Sequence, residues 1–284
     1  MAESNDRSLE GLGLADTPAL DPLCYPGRPL TFPGLLRGND LFAITAGDPD
    51  VAVGEWMVDV GGGRRVPLDT ALAVLGDERM RERIPVLAIG SHASPGQVRQ
   101  KLRDSGLSTA VPLTPARVHG IRIGFSGHVS PAGYVAASPY TRLGAVVDLV
   151  VTWLDARQLK AFDDTEYPEY RRVVFDEQFL VQLGDGAPLF GVHLYVNALG
   201  VLACPDGRTP TPLMPQREIL TMLCARSPRI ADQFGGSPEE FVRRARADPA
   251  LRAVGTRHIA EEGWLLPQPA LDALPDARIL GSSA

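Results

Sequence analysis

Lysine is almost missing from this 284-residue chain: of 28 basic residues only Lys101 and Lys160 are lysines. An arginine bias that strong reads as genome composition rather than function. Cysteine is scarce as well. Cys24, Cys204 and Cys224 stand far apart, form no paired metal spacing and, being odd in number, argue against a disulfide framework. The expectation is a cytoplasmic protein with free thiols. No apolar run is long enough to span a bilayer, and the longest, Leu143 to Leu154, is interrupted by Asp148. Met1 to Arg7 is charged with no apolar segment behind it, so neither a signal peptide nor a membrane partner is expected. No basic block or aromatic-basic interleaving points to nucleic acid. There is no internal repeat and no low-complexity segment. With 44% hydrophobic and 22% charged residues and a net charge of −6, the composition is that of a soluble globular protein. The length suits one large domain, or a core domain with sizeable additions.

The most informative stretch runs from Val86 to Gln97. It has the pattern of a buried strand, then a glycine turn with polar side chains, then the start of a helix. Ser94 suits the N-cap, Pro95 the first helical position, and Gln97 the reciprocal place of a capping box. Val98 and Leu102, four apart, give the helix an apolar face. Unpaired N–H groups at such a helix start favour a carboxylate or a polarised carbonyl oxygen. On its own the stretch equally describes an ordinary strand-to-helix connection.

Around this turn the chain divides into three parts. Residues 1–83 form an N-terminal arm with a strand and helix extension: residues 1–20 look frayed, and prolines from Cys24 to Arg37 lay an extended segment on a surface. Trp56 to Val60 reads as a strand before a glycine turn, and Leu68 to Arg83 has helical spacing. Residues 84–204 hold the densest strand pattern. Ile121, Ile123 and Phe125 alternate with polar or small residues, and Gly144 to Trp153 is apolar on both faces, as in a central strand. Asp148 there needs a partner if buried, with Arg122 a candidate. Asp155 caps a short helix with Gln158 three residues on, and Leu159 and Phe162 face inward. Tyr170 to Leu183 reads as a strand, and His193, Tyr195 and Asn197 share one face of another. Residues 205–284 turn helical, with starts at Ser227-Pro228 and Ser237-Pro238.

One acidic cluster, Phe162-Asp163-Asp164-Thr165-Glu166 followed by Tyr170-Arg171-Arg172, completes a pattern. The order Ile89-Gly90-Ser91-His92, Gly144-Ala145-Val146-Val147-Asp148, this cluster, and Val192-His193-Leu194-Tyr195 resembles the gamma-glutamylcyclotransferase-like family over about 120 residues. The resemblance implies an α+β fold with a small mixed β-barrel core, extended here by the arm and the C-terminal helices. It implies a small-molecule substrate, a small amide or gamma-glutamyl-type compound, and no cofactor. Glu166 would be the acid/base, its carboxyl raised in a half-apolar cavity. Ile89, Gly90, Ser91 and Ala93 would bind substrate, with turn amides facing the oxyanion. His128 and Tyr195 would join them at the cavity mouth. The family's turn reads Tyr-Gly-Ser-Asn, so this chain departs from it at Ile89 and His92. A His also stands at that place in the related C-terminal domain of allophanate hydrolase, which makes His92 a second catalytic candidate, an imidazole titrating near neutrality.

Other readings stay open beside this one. Standing alone, Glu166 is a solvated carboxylate next to Asp163, Asp164 and Glu169. Ser91 lacks the Gly-x-Ser-x-Gly context of a nucleophile. His92, His128, His193 and Glu166 would hold a divalent metal only if they converged, and no His-x-His spacing supports that. The rival function is a non-catalytic protein that binds a small ligand in the same cavity, its arm and helices serving partner contacts or homodimerisation.

Overall fold

Two strands of unusual length set the architecture, because their alternating apolar residues supply both faces of the sheet. The computed structural model describes residues 6–184, 186 and 188–277. Its strands are β1 (Gly34–Arg37), β2 (Asp40–Thr45), β3 (Met57–Gly61), β4 (Arg64–Pro67), β5 (Ile84–Ala88), β6 (Val111–Val129), β7 (Val135–Leu154), β8 (Tyr170–Val174), β9 (Val181–Leu183), β10 (His193–Asn197), β11 (Val201–Leu202) and β12 (Leu265–Leu266). Its helices are α1 (Leu68–Val74), α2 (Pro95–Asp104), α3 (Ala156–Glu166), α4 (Gln216–Arg226), α5 (Pro228–Phe234), α6 (Pro238–Ala247), α7 (Pro249–Glu261) and α8 (Pro269–Asp272).

The main sheet runs β4-β3-β2-β1-β6-β7-β5-β10-β8, with β9 added to β6, and β11 pairs with β12 separately. Every pairing is antiparallel except β5 with β10. Among the described strands the path ends at β4 and β8 without closing, so the expected barrel is instead an open mixed sheet in an α+β fold. Residues of alternate parity on β6 and β7 serve opposite faces. Leu113, Val150 and Leu154 pack with Val98, Leu102 and Phe162 from α2 and α3. Ala116, Val118 and Val151 pack on the other side with Val58, Leu68 and Leu72. The hairpin tip brings Phe125, Val129 and Val135 against Ile219, Phe234 and Phe241 of the C-terminal helices.

Several sequence expectations change on contact with the tertiary structure. From Asp6 onward the first 20 residues are packed rather than frayed: Leu9 and Leu14 are buried, and Leu9 donates its N–H to Asn39. The helical spacing of Leu68 to Arg83 breaks after Val74, where Gly76 takes a positive φ of 75° and closes the helix end. Only a short 3-10 turn at Met80–Glu82 follows. Tyr170 to Leu183 is two strands, β8 and β9, because Asp176 turns the chain by accepting the Gln178 N–H. The outer half of β7 is not buried on both faces. Its register with β6 jumps from His119–Val146 to Ile121–Thr141, so residues 142–145 have no partner on β6, and 142–144 are exposed, Leu143 fully. Asp148 is therefore exposed. It lies across from Arg117, 3.9 Å away, while Arg122 sits opposite Tyr140.

Candidate functional site

Gly90 makes the turn possible. A β-carbon there would run into the Tyr25 hydroxyl and crowd Ala137. The chain then makes one 3-10 turn, Ser91–Ala93, before α2. Ser94 and Gln97 do not form the expected capping box. Ser94 Oγ donates to Asp16 O at 2.8 Å, and Gln97 Oε1 accepts the Ala19 N–H at 2.9 Å. The N-terminal arm thus takes over both capping groups. It also lies against Gly96, where any side chain would strike the backbone of Ala15 and Asp16.

Glu166 arrives from the other direction, as the last residue of α3. Asp155 caps that helix by accepting the N–H groups of Arg157 and Gln158, and Gln158 reaches back to Asp155 N at 3.1 Å. Leu159 and Phe162 face the core, as expected. This fixes the helix so that its end meets the turn. Glu166 Oε1 lies 3.3 Å from His92 Nε2 and 3.1 Å from Lys101 Nζ. Lys101, projecting from α2, is the group the sequence reading missed. Its ammonium is 2.7 Å from His92 Nε2, 2.5 Å from Thr165 Oγ1, and 4.7 Å from the centre of the Phe162 ring. Its side chain is 9% exposed, against 13% for His92 and 20% for Glu166.

The electrostatics overturn two expectations. Burial alone would push the Glu166 carboxyl up, but the opposing causes, the charge of Lys101 the largest of them, outweigh it and hold Glu166 well below the usual carboxylate range. Burial, then the Lys101 charge, pushes His92 down, so this imidazole is neutral around pH 7 rather than titrating there. Burial also lowers Lys101, opposed by Glu166. A carboxylate, an ammonium and a neutral imidazole therefore share a partly dry corner.

Four tyrosines surround this cluster. The Tyr134 ring stacks on Tyr25 with centroids 4.3 Å apart. Tyr25 Oη accepts the Ala137 N–H at 2.6 Å, and Tyr170 Oη donates to Ala137 O at 2.7 Å. Tyr195 lies edge-on to His92 and donates to Asp163 Oδ1 at 2.8 Å, while Asp163 takes both a 2.9 Å and a 3.1 Å bond from Arg172.

The predicted site residues are thus only partly brought together. His92 and Glu166 meet directly, and Ser91 is buried beside His92 in the same 3-10 turn. Ile89, Gly90 and Ala93 instead line a separate groove of about 1260 Å³ on the side of Trp56, Arg122 and Tyr140, which Glu166 does not line. His128 is buried in its own network, at 2.9 Å from Ser126 Oγ and 3.1 Å from Asn197 Nδ2. His193 accepts a hydrogen bond from Arg172. The three histidines do not converge, and among the described residues no group of three or more His, Cys, Asp or Glu side chains could hold a metal ion. No described helix is long and apolar enough to cross a membrane.

No family model matches the chain, and no curated protein matches it. Solved structures do. One, a gamma-glutamyl cyclotransferase, is 13% identical over 62% of this chain and 99% of its own, with a TM-score of 0.36. An uncharacterised protein from Homo sapiens is 15% identical over 61% of this chain and 98% of its own, at 0.34. A protein from Arabidopsis thaliana known in solution is 20% identical over 40% of this chain, which spans 62% of that protein's length, at 0.31. One member of this set bears the name of the family that the sequence resembles. Overlays at these scores assign no residue a role.

Proposed function

We propose that the chain is a cyclotransferase-like enzyme acting on a small amide or gamma-glutamyl-type substrate, with Glu166 as the acid/base and the His92 end of the Gly90-Ser91-His92 turn as the anchor for carboxylate or oxyanion. The observation that supports this reading is the 3.3 Å meeting of His92 and Glu166, two motifs far apart in sequence. In the reaction the substrate's α-amine attacks its own side-chain amide carbon. A new C–N bond closes the lactam ring, the old C–N bond breaks, and the proton lost by the attacking amine ends on the departing one. Glu166 stands as a carboxylate at working pH, and in this reading the substrate's amine displaces Lys101 from it, which removes the charge that depresses the carboxyl and lets it take up that proton.

A second reading is favoured by Lys101. An ammonium already seated on Glu166 neutralises it, which suits a protein that holds a ligand without turning it over. One experiment separates the two. The protein is incubated with a panel of gamma-glutamyl amines and 5-oxoproline is measured, alongside ligand affinity, for wild type and Glu166→Gln. The enzyme reading expects product, with a rate loss of about 100-fold or more in the variant. Affinity that depends on Glu166 without product supports the binding reading. No product, and no change in any affinity, would sink both.

A further inference from the structure

The contact between Lys101 and His92 is closer than the one between Glu166 and His92, and this decides which imidazole nitrogen carries the proton. An ammonium has three N–H donors and no acceptor. Here its three partners are complete: His92 Nε2 at 2.7 Å, Thr165 Oγ1 at 2.5 Å and Glu166 Oε1 at 3.1 Å. Thr165 is free to accept because its own hydroxyl proton goes to Phe162 O at 2.9 Å. If Nε2 carried a hydrogen, two donors would face each other at 2.7 Å. With Nε2 as acceptor, the imidazole's proton sits on Nδ1. The tautomer is assigned by this count of donors and acceptors. His92 Nδ1 has no hydrogen-bond partner among the described residues and is not among the fully buried unpaired atoms, so it keeps some exposure on a side chain that is 13% exposed.

We propose that Lys101 is a positioning residue that fixes His92 as the neutral Nδ1–H tautomer, so that this N–H is offered to the carbonyl oxygen of an amide substrate. The inference rests on the amide-directed reading of the site and assigns His92 the part of a donor to the polarised carbonyl. A neutral N–H donor steadies a developing oxyanion without needing proton uptake from solvent. The residue type fits the task. Lys101 is one of only two lysines, in a chain that uses arginine for nearly every other base. A compact ammonium reaches three acceptors in different directions, whereas a guanidinium presents its donors in a flat fork. Around His92 and Glu166 the other titratable groups are Tyr195 on β10, Tyr134 and Tyr25 beside the turn, Tyr170 on β8 and His128 on β6. The tyrosines are pushed up and His128 down by burial, so none of them adds charge near neutrality.

The test is long-range ¹H–¹⁵N correlation on the full ¹⁵N-labelled chain, which has five imidazoles to resolve. His92 is assigned by the signal lost in His92→Gln. The wild type is expected to show the Nδ1–H pattern at neutral pH. In Lys101→Met the proton should move to Nε2, facing Glu166, or the ring should become cationic with a raised pKa. An Nε2–H or cationic ring in the wild type overturns the proposal, as does an unchanged spectrum in a folded Lys101→Met. Should that variant not fold, the wild-type pattern alone decides. The exposed Lys160 serves as an internal control in a ¹⁵N-lysine spectrum, where the Lys101 ammonium should exchange with water more slowly. The outcome is separable from turnover. An Nδ1–H ring with no 5-oxoproline removes the reaction and keeps the tautomer, and product formed over an Nε2–H ring does the reverse.

Discussion

Arg172 shows how single residues hold this site in place. It makes two bonds to Asp163 and one to His193, and Tyr195 completes the Asp163 shell. That network pins α3 to β8 and β10, one turn before Glu166. It also helps keep His193 uncharged: burial first, then the Arg172 charge, lowers this imidazole to about 4. Burial does the same to His128, also to about 4. Their ordinary value is 6.5, so below it the unfolded chain takes up protons that the folded chain refuses. Stability should therefore fall as pH drops from about 6.5 to about 4, by up to about 3 kcal/mol for each histidine. Glu166 has the opposite charge type and acts at lower pH. Its depressed carboxyl stabilises the fold above the ordinary carboxylate range, and that contribution is lost in more acid solution. Guanidinium midpoints measured across this range should slope downward toward acid, and a flat profile would contradict the assignment of neutral histidines. At this scale the sequence disclosed His92 and Glu166 by their motifs. Lys101 stayed hidden because its meaning lies in the crossing of α2 and α3, although its rarity was a signal.

The helices carry a controlled comparison. Asp155-x-x-Gln158 and Ser94-x-x-Gln97 have the same capping signature, yet only the first forms a box. At Asp155 the distant partners leave the cap intact, because Gln158 Oε1 accepts from both Asp155 N and Arg83. At Ser94 the N-terminal arm offers Asp16 O and Ala19 N, and these longer-range partners win. A local pattern is legible in sequence until a distant segment takes the same atoms over. Replacing Asp155→Ala should lower stability by about 1 kcal/mol, read as a shift in thermal midpoint. Gln158→Ala should cost more. Its Oε1 accepts from the buried Arg83 at 3.1 Å, and its amide donates to Ser108 O at 2.9 Å, so removal takes one of the three acceptors of a buried guanidinium, which keeps Glu78 O and Trp153 O, and leaves Ser108 O without that donor. Equal losses from the two substitutions would contradict that ranking.

At the scale of the whole molecule, patterning revealed a β-rich core with a helical C-terminal part, and the α+β class came with the family resemblance, but sheet closure was not readable. Closure depends on which strands end at an edge, and the register shift at residues 142–145 leaves no trace in periodicity. All three apolar clusters draw on the β6–β7 hairpin: Val118 and Val151 in one, Leu113 and Leu154 in another, Phe125 and Val135 in the third. No cluster can come apart alone without stripping apolar cover from the strands that the other two need. The hairpin thus acts as a shared spine, tying the arm, the sheet and the C-terminal helices into one cooperative unit. Its amides, those of Leu113 and Val151 among them, should be the last to exchange with deuterium, opening only when the entire protein does.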